Sequence, residues 1–232
     1  MLLILLVLAS AAFGKEQRTR TCRILFLDGP DNAPGTLHLF DGARSQEVEL
    51  PRMNLSPVYE LPPGNLTLSL LPAPPADPAK LPPDAPSAKV PETVGDFYLL
   101  VSSDPSNKIA PVGMQVINAG MDRLRAGQML WFNLTEHQVG GQLGSEKLVM
   151  QPKSTVTVDP PASGARDYAV NLAYRIQGRE HLYPICETKW LHDPRSRSLA
   201  FIFNRPGVRT PRVLVFPDFR DEETRKESDA GR

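Results

Sequence analysis

Proline sets the first limit on what this chain can fold into. The sequence holds 24 prolines, about twice the usual share, and they fall at the ends of short apolar runs. "QEVELP", "PVYELPPG" and "NLTLSLLP" follow one another, each closed by Pro or Gly. Proline has no amide hydrogen and a fixed φ, so it stops helices and caps strand ends. No window of twelve residues in this region carries an apolar stripe at helical spacing. The pattern predicts strands joined by turns, with "PPGN" as a turn between two hairpin arms.

Further along, "DFYLLVSSDP" is a continuous apolar run that suits the centre of a sheet. After it come "PVGMQVINAG", "GQMLWFNLT", "HQVGGQLG", "EKLVMQP" and "STVTVDPP". "DYAVNLAYRIQG", "HLYPICETKWL", "SLAFIFN" and "RVLVFPDF" complete the series. Gln177-Gly178-Arg179 reads as a hairpin turn, and "MDRLRAGQ" as one helical turn at most. So many short strands at this spacing predict an all-β chain, a β-sandwich of immunoglobulin-like or transthyretin-like kind.

The stretch "PAPPADPAKLPPDAPSAKVP" lacks the bulky apolar side chains that a core needs and favours extended polyproline II. We take residues 72–94 as a Pro-rich linker or long crossover. It divides a small N-terminal β-module, 20–71, from a larger C-terminal β-sandwich, 95–219. The tail 220–232, "RDEETRKESDAGR", is charged and reads as disordered. There is also a faint internal echo. "LPPGNLTLSL" matches "QPKSTVTVDP", and "TLHLFDG" matches "MLWFNLT". A duplicated sandwich unit would produce it, and so would any two hairpins.

Residues 1–14, "MLLILLVLASAAFG", read as a secretory signal peptide: an apolar run, then small residues at the cleavage positions. The run is too short to span a bilayer, which takes about 20 apolar residues. No Lys or Arg precedes it, a departure from the usual pattern. No Cys follows it at once, which argues against a lipid anchor. The expectation is an exported chain, periplasmic or extracellular, with no transmembrane segment in its mature part. Lys and Arg number 26 against 26 Asp and Glu, which argues against nucleic acid as a partner. Arg195, Arg197, Arg205, Arg209 and Arg212 do cluster late in the chain.

Two cysteines, Cys22 and Cys186, are all the chain has. In an oxidising compartment such a pair is expected to bridge. The bridge would contribute about 4–5 kcal/mol and lay the first strand beside "YPICETKW". The alternative is two buried thiols acting as small hydrophobes.

"HLYPICETKWLH", residues 181–192, is the stretch richest in groups that do chemistry. As a strand it places Leu182, Cys186, Trp190 and His192 on one face and His181, Tyr183, Ile185 and Leu191 on the other. Cys186 and His192 would then be roughly 20 Å apart, too far to share a zinc ion. We therefore expect a strand, with no metal site. The chain has no nucleophile elbow, no HExxH, no phosphate loop and no dinucleotide fingerprint. No catalytic residue and no cofactor are assigned. Asn54, Asn65 and Asn133 each open an Asn-Leu-Ser/Thr triplet, an acceptor pattern in a eukaryotic secretory pathway.

"DFYLLVSSDP", "AGQMLWFNLTEHQVGGQLGSEKLVMQP" and "KWLHDPRSRSLAFIF" together resemble a group of uncharacterised exported proteins of Verrucomicrobia-like bacteria. The resemblance covers roughly residues 96–217 and implies a β-sandwich in the cell envelope. It brings no known activity and therefore no functional residue. The functional expectation is a non-catalytic binding or structural protein of the periplasm or cell envelope that holds a protein or polysaccharide. One alternative is a carbohydrate-binding module that stacks sugars on exposed rings such as Trp131, Trp190 and Tyr183. The other is an uncharacterised hydrolase.

Overall fold

The computed structural model describes residues 20–219 apart from residue 121; the leader and the charged tail read from the sequence lie outside the described residues. Every regular element among them is a strand. The first unit contains β1 (Arg20–Phe26), β2 (Thr36–Phe40), β3 (Ser45–Glu49), β4 (Tyr59–Leu61), β5 (Leu66–Leu71), β6 (Ser87–Val90), β7 (Asp96–Ser103) and β8 (Val112–Asn118). The second contains β9 (Met129–Asn133), β10 (Gln138–Leu143), β11 (Glu146–Met150), β12 (Thr155–Val158), β13 (Arg166–Arg175), β14 (Leu182–His192), β15 (Arg197–Phe203) and β16 (Arg212–Asp218).

The two units have one topology. The first pairs its strands in the orders β4-β1-β7-β8 and β3-β2-β5-β6, the second in the orders β12-β9-β15-β16 and β11-β10-β13-β14. Adding eight to each strand of the first unit reproduces the second. The match extends to direction: β1 with β7 and β9 with β15 are parallel, and all other pairs are antiparallel. The echo in the sequence does not follow this duplication, because neither of its matches joins counterpart strands. "TLHLFDG" is β2, whose counterpart is "QVGGQL" of β10, while "MLWFN" of β9 answers to β1.

The sheets stack four deep. Ile24, Phe26, Leu39, Leu68, Phe97 and Leu99 fill the space between the two sheets of the first unit. Trp131, Val139, Leu148, Leu172 and Ile202 do the same in the second. A third core joins the units face to face, with Leu25, Tyr98, Leu100 and Ile117 against Leu199, Phe201 and Phe216. The inner sheets are therefore covered on both sides, and their central strands β7 and β15 read as nearly continuous apolar runs for that reason.

A buried polar cluster sits in that joint. The Asp218 carboxylate accepts from Arg23 Nη1 at 2.7 Å, from Arg197 Nε at 3.1 Å and from the Tyr98 hydroxyl. Arg197 Nη1 also donates to the Ala119 carbonyl at 2.6 Å, in the segment that connects the units. Burial works against the Arg197 charge, but Tyr98 and Asp218 outweigh it and move its pKa upward.

Three expectations are corrected. The Pro-rich stretch does not divide the chain: it crosses from β5 to β6 within one sheet, and β7 beyond it pairs with β1. Its Ala85 is buried against Phe40 and Leu71, and the connection between the units is the turn-rich segment from Ala119 to Gln128. "PPGN" does not close a hairpin, because β4 and β5 belong to different sheets. Cys22 and Cys186 do not bridge: Cys22 lies in β1, flanked by β4 and β7, and Cys186 lies in β14 of the other unit.

Candidate binding site at an open sandwich edge

The stretch that drew attention in the sequence is β14, an eleven-residue strand at the edge of its sheet, paired among the described strands with β13 alone. Its register slips between Leu172 and Ala173, which oppose Cys186 and Pro184, so Ile185 is an extra, bulged residue. A bulge reverses the alternation of faces. Tyr183 and Ile185 therefore pack against the same core as Cys186 and Trp190, where strict alternation puts them on opposite sides. Pro184 marks the place, since a strand accepts proline at an edge or a bulge.

The three proposed stacking rings are not a surface platform. Trp131 is wholly buried and lies against Trp190, with ring centroids 6.0 Å apart and planes 10° apart. Trp190 and Tyr183 are half-buried, and Tyr183 stacks on Tyr174 at 5.4 Å. Among the described residues no Trp, Tyr or Phe is exposed. The late arginines do not form a patch either. Arg197 is buried on Asp218, Arg195 pairs with Asp193 and Arg205 with Asp28.

Trp190 does face a cleft. A cavity of about 620 Å³ lies between β14 and β16, edge strands of the second unit's two sheets. Met129, Tyr168, Trp190, Val213, Val215 and Phe219 supply its apolar walls. Leu191, 71% exposed, and Pro217 stand at its rim. In the first unit the counterpart strands are β6 and β8, and they pack against each other. β14 and β16 make no comparable contact. The same edge is sealed in one copy of the fold and open in the other.

Lys189, His192, Asp193, Ser196 and Ser198 are the polar residues on the lining of this cleft. His192 is 6% exposed, and its Nε2 is buried with no hydrogen-bond partner among the described residues. Tyr168 stands edge-on to its ring at 6.5 Å. Burial pulls the imidazole below its usual pKa, opposed by the neighbouring Asp193. Asp193 is itself held down at about 2 by hydrogen bonds from the Arg195 side chain and amide. Burial pushes the Tyr168 phenol up to about 12, and its hydroxyl lies 3.6 Å from Met129 Sδ. The site thus sets a buried imidazole, its pKa lowered by that burial, among apolar walls and a few polar residues. No hydroxyl or thiol is bonded to Nε2. Among the described residues no three His, Cys, Asp or Glu side chains gather where a metal ion could sit.

Sequence reasoning reached Trp190, weighed His192 only as a zinc ligand with Cys186, and did not bring Met129 to a site. Their convergence depends on which strand edges stay unsealed, and the one local signal was Pro184 in a long strand. Asn133, one of the three triplet asparagines, is wholly buried and gives Nδ2 to the carbonyls of His137 and Gln151. Asn54 and Asn65 are exposed. Compared with family models and with curated proteins, the chain matches none.

Proposed function

We propose that this is a non-catalytic exported binding protein of the periplasm or cell envelope, and that it holds its partner at the open β14–β16 edge of the second unit. The observation that carries the reading is the contrast between copies: one topology, with the edge sealed by β6 against β8 and open between β14 and β16. An unpaired edge strand offers backbone groups to a partner, and an apolar cleft beside it offers burial. Export rests on the apolar leader, and the envelope location on the resemblance of residues 96–217. A hydrolase would need a nucleophile beside its base, and His192 has none bonded to it. A sugar platform would need exposed rings.

Hydrogen exchange on the purified protein, with and without envelope extract of its host, tests this. Amides of 186–192 and 212–218 should slow in the extract, while 87–90 and 112–118 stay unchanged. Unchanged exchange at both β14 and β16 would sink the reading.

A further inference from the structure

We propose that the partner is an extended polypeptide segment that adds to β16 as one more strand. Its alternate residues are apolar and enter the cleft, and acidic residues flank them. This rests on the binding role assigned to that edge. Val213, Leu214, Val215 and Pro217 all line the cleft, although successive side chains of a strand point to opposite faces. What the cleft exposes is therefore the backbone edge of β16. The register says which groups stand there. On the β9 side of β15, the Ser198 amide donates to the Gln128 carbonyl at 3.0 Å and the Ile202 carbonyl accepts from Leu134 at 2.8 Å. Successive residues turn their backbone groups to opposite edges, so Leu199, Phe201 and Phe203 are the ones that turn to β16. Their partners are Phe216, Leu214 and Arg212. Val213 and Val215 thus send N–H and C=O outward, and Pro217 stands where a missing N–H costs nothing. None of these outward groups has a hydrogen-bond partner among the described residues.

Donors and acceptors that recur at every second residue, roughly 6.6 Å apart, match another peptide backbone, and a sugar chain has no such repeat. β14 faces the same cleft but carries what keeps an edge strand unpaired: Pro184, the bulge at Ile185, and the charges of Glu187 and Lys189. Between Arg212 and Pro217, β16 has only apolar residues. Val213 and Val215 turn toward the core of the second unit. Partner residues opposite them point the same way, onto Met129, Tyr168 and Trp190. Charge selects what flanks these residues. The carboxylate on the lining, Asp193, is already paired with Arg195. Lys189 on the wall and Arg212 at the start of β16 have no ion pair among the described residues, so the unbalanced charge beside the edge is positive.

Three blocked peptides test this: acetyl-DVTVTVE-amide, its lysine-flanked form acetyl-KVTVTVK-amide, and acetyl-DTTVVVE-amide, which has the composition of the first without its alternation. The chain has two tryptophans, both in the stack at the cleft, so emission excited at 295 nm gives each Kd. The first peptide should bind at least about threefold more tightly than the lysine form at low salt, and the third should give no saturable change. Amide exchange read residue by residue in ¹H–¹⁵N spectra locates the contact. With the first peptide at about ten times its Kd, the Val213 and Val215 amides should slow about tenfold, while Leu214 and Phe216, already bonded to β15, stay unchanged. Val215→Pro removes an outward amide only and should abolish binding; should that variant not fold, the exchange pattern of the wild type decides. Equal binding of the three peptides overturns the proposal, as does tightest binding of the lysine form. Protection of Val213 and Val215 in the chain alone, rising with its concentration, overturns it in favour of a second copy. Protection in envelope extract that survives proteolysis of the extract overturns it in favour of a polysaccharide. If no peptide binds while β14 and β16 are protected in extract, the partner class is wrong and the binding edge stands. If neither is seen, both are wrong.

Discussion

Replacing Asp218 by Asn should destabilise the protein more than any other single change in the joint between the units. The carboxylate is fully buried and takes donors from both units, Arg23 and Tyr98 from the first and Arg197 from the second. Asparagine keeps one acceptor oxygen and puts an NH2 group among converging donors. Two buried guanidinium groups then lose the carboxylate that they share. Removing one partner of a buried ion pair costs about 3–5 kcal/mol, a large share of the 5–15 kcal/mol, roughly, that holds a typical domain folded. At a urea slope of about 2–3 kcal/mol per molar, the midpoint should fall by roughly 1–2 M. Equilibrium urea unfolding followed by tryptophan emission and circular dichroism measures it. Arg23→Met in the same series should show non-additivity with Asp218→Asn of at least about 1 kcal/mol, because the two share one bond. A loss under about 1 kcal/mol for Asp218→Asn, or strict additivity with Arg23→Met, would refute the reasoning.

Three further outcomes follow from particular contacts. A Cβ at Gly141 would stand 2.0 Å from the Asn171 carbonyl oxygen, while one at Gly140 would meet nothing nearer than 3.4 Å. Gly141→Ala should therefore lower stability by about 2–3 kcal/mol and Gly140→Ala by far less, and equal effects in thermal unfolding would contradict this. Denaturing alkylation without reductant should modify both cysteines, and reductant should leave the melting temperature unchanged. In the folded protein Cys186 should react slowly near pH 8, since burial pushes its thiol above the usual value; a chain that resists alkylation until reduced would show a bridge. His192 has a folded pKa below its unfolded one, so the unfolded chain takes up the proton first as pH falls. Its contribution is complete above about pH 6.5 and is lost as pH drops toward the folded value. The stability gap between wild type and His192→Phe should change over about pH 7 to 5 in the direction that disfavours wild type, and a flat gap would refute it.

Much of the fold was legible because strand endings are local chemistry. Proline and glycine closed β3, β4 and β5 in the sequence, and the unbroken "FYLLV" of β7 marked a strand covered on both faces. The hairpin at Gly178 was legible too, and that residue has a φ of 78°. The division of the chain was not, because composition records what a segment lacks rather than what it pairs with. Residues 72–94 are poor in bulky apolar side chains, yet Ser87–Val90 completes a sheet and the chain beyond returns to β1. The duplication was not legible, since counterparts such as "TCRILF" and "MLWFN" share position in the fold and little sequence, and the echo matched strands that are not counterparts. At the site, Trp190 was legible as a residue type. The cleft was not, because it depends on β14 and β16 failing to meet as β6 and β8 do.

The most direct test places a photo-crosslinking amino acid at Leu191 on the cleft rim and, as a control, at Met53, which is 75% exposed in the first unit. Irradiation in the native envelope fraction, followed by mass analysis of the recovered chain, reads what each position touches. The account predicts one defined adduct from position 191 and none from position 53. Equal labelling at the two positions, or none at 191, would contradict a binding edge between β14 and β16.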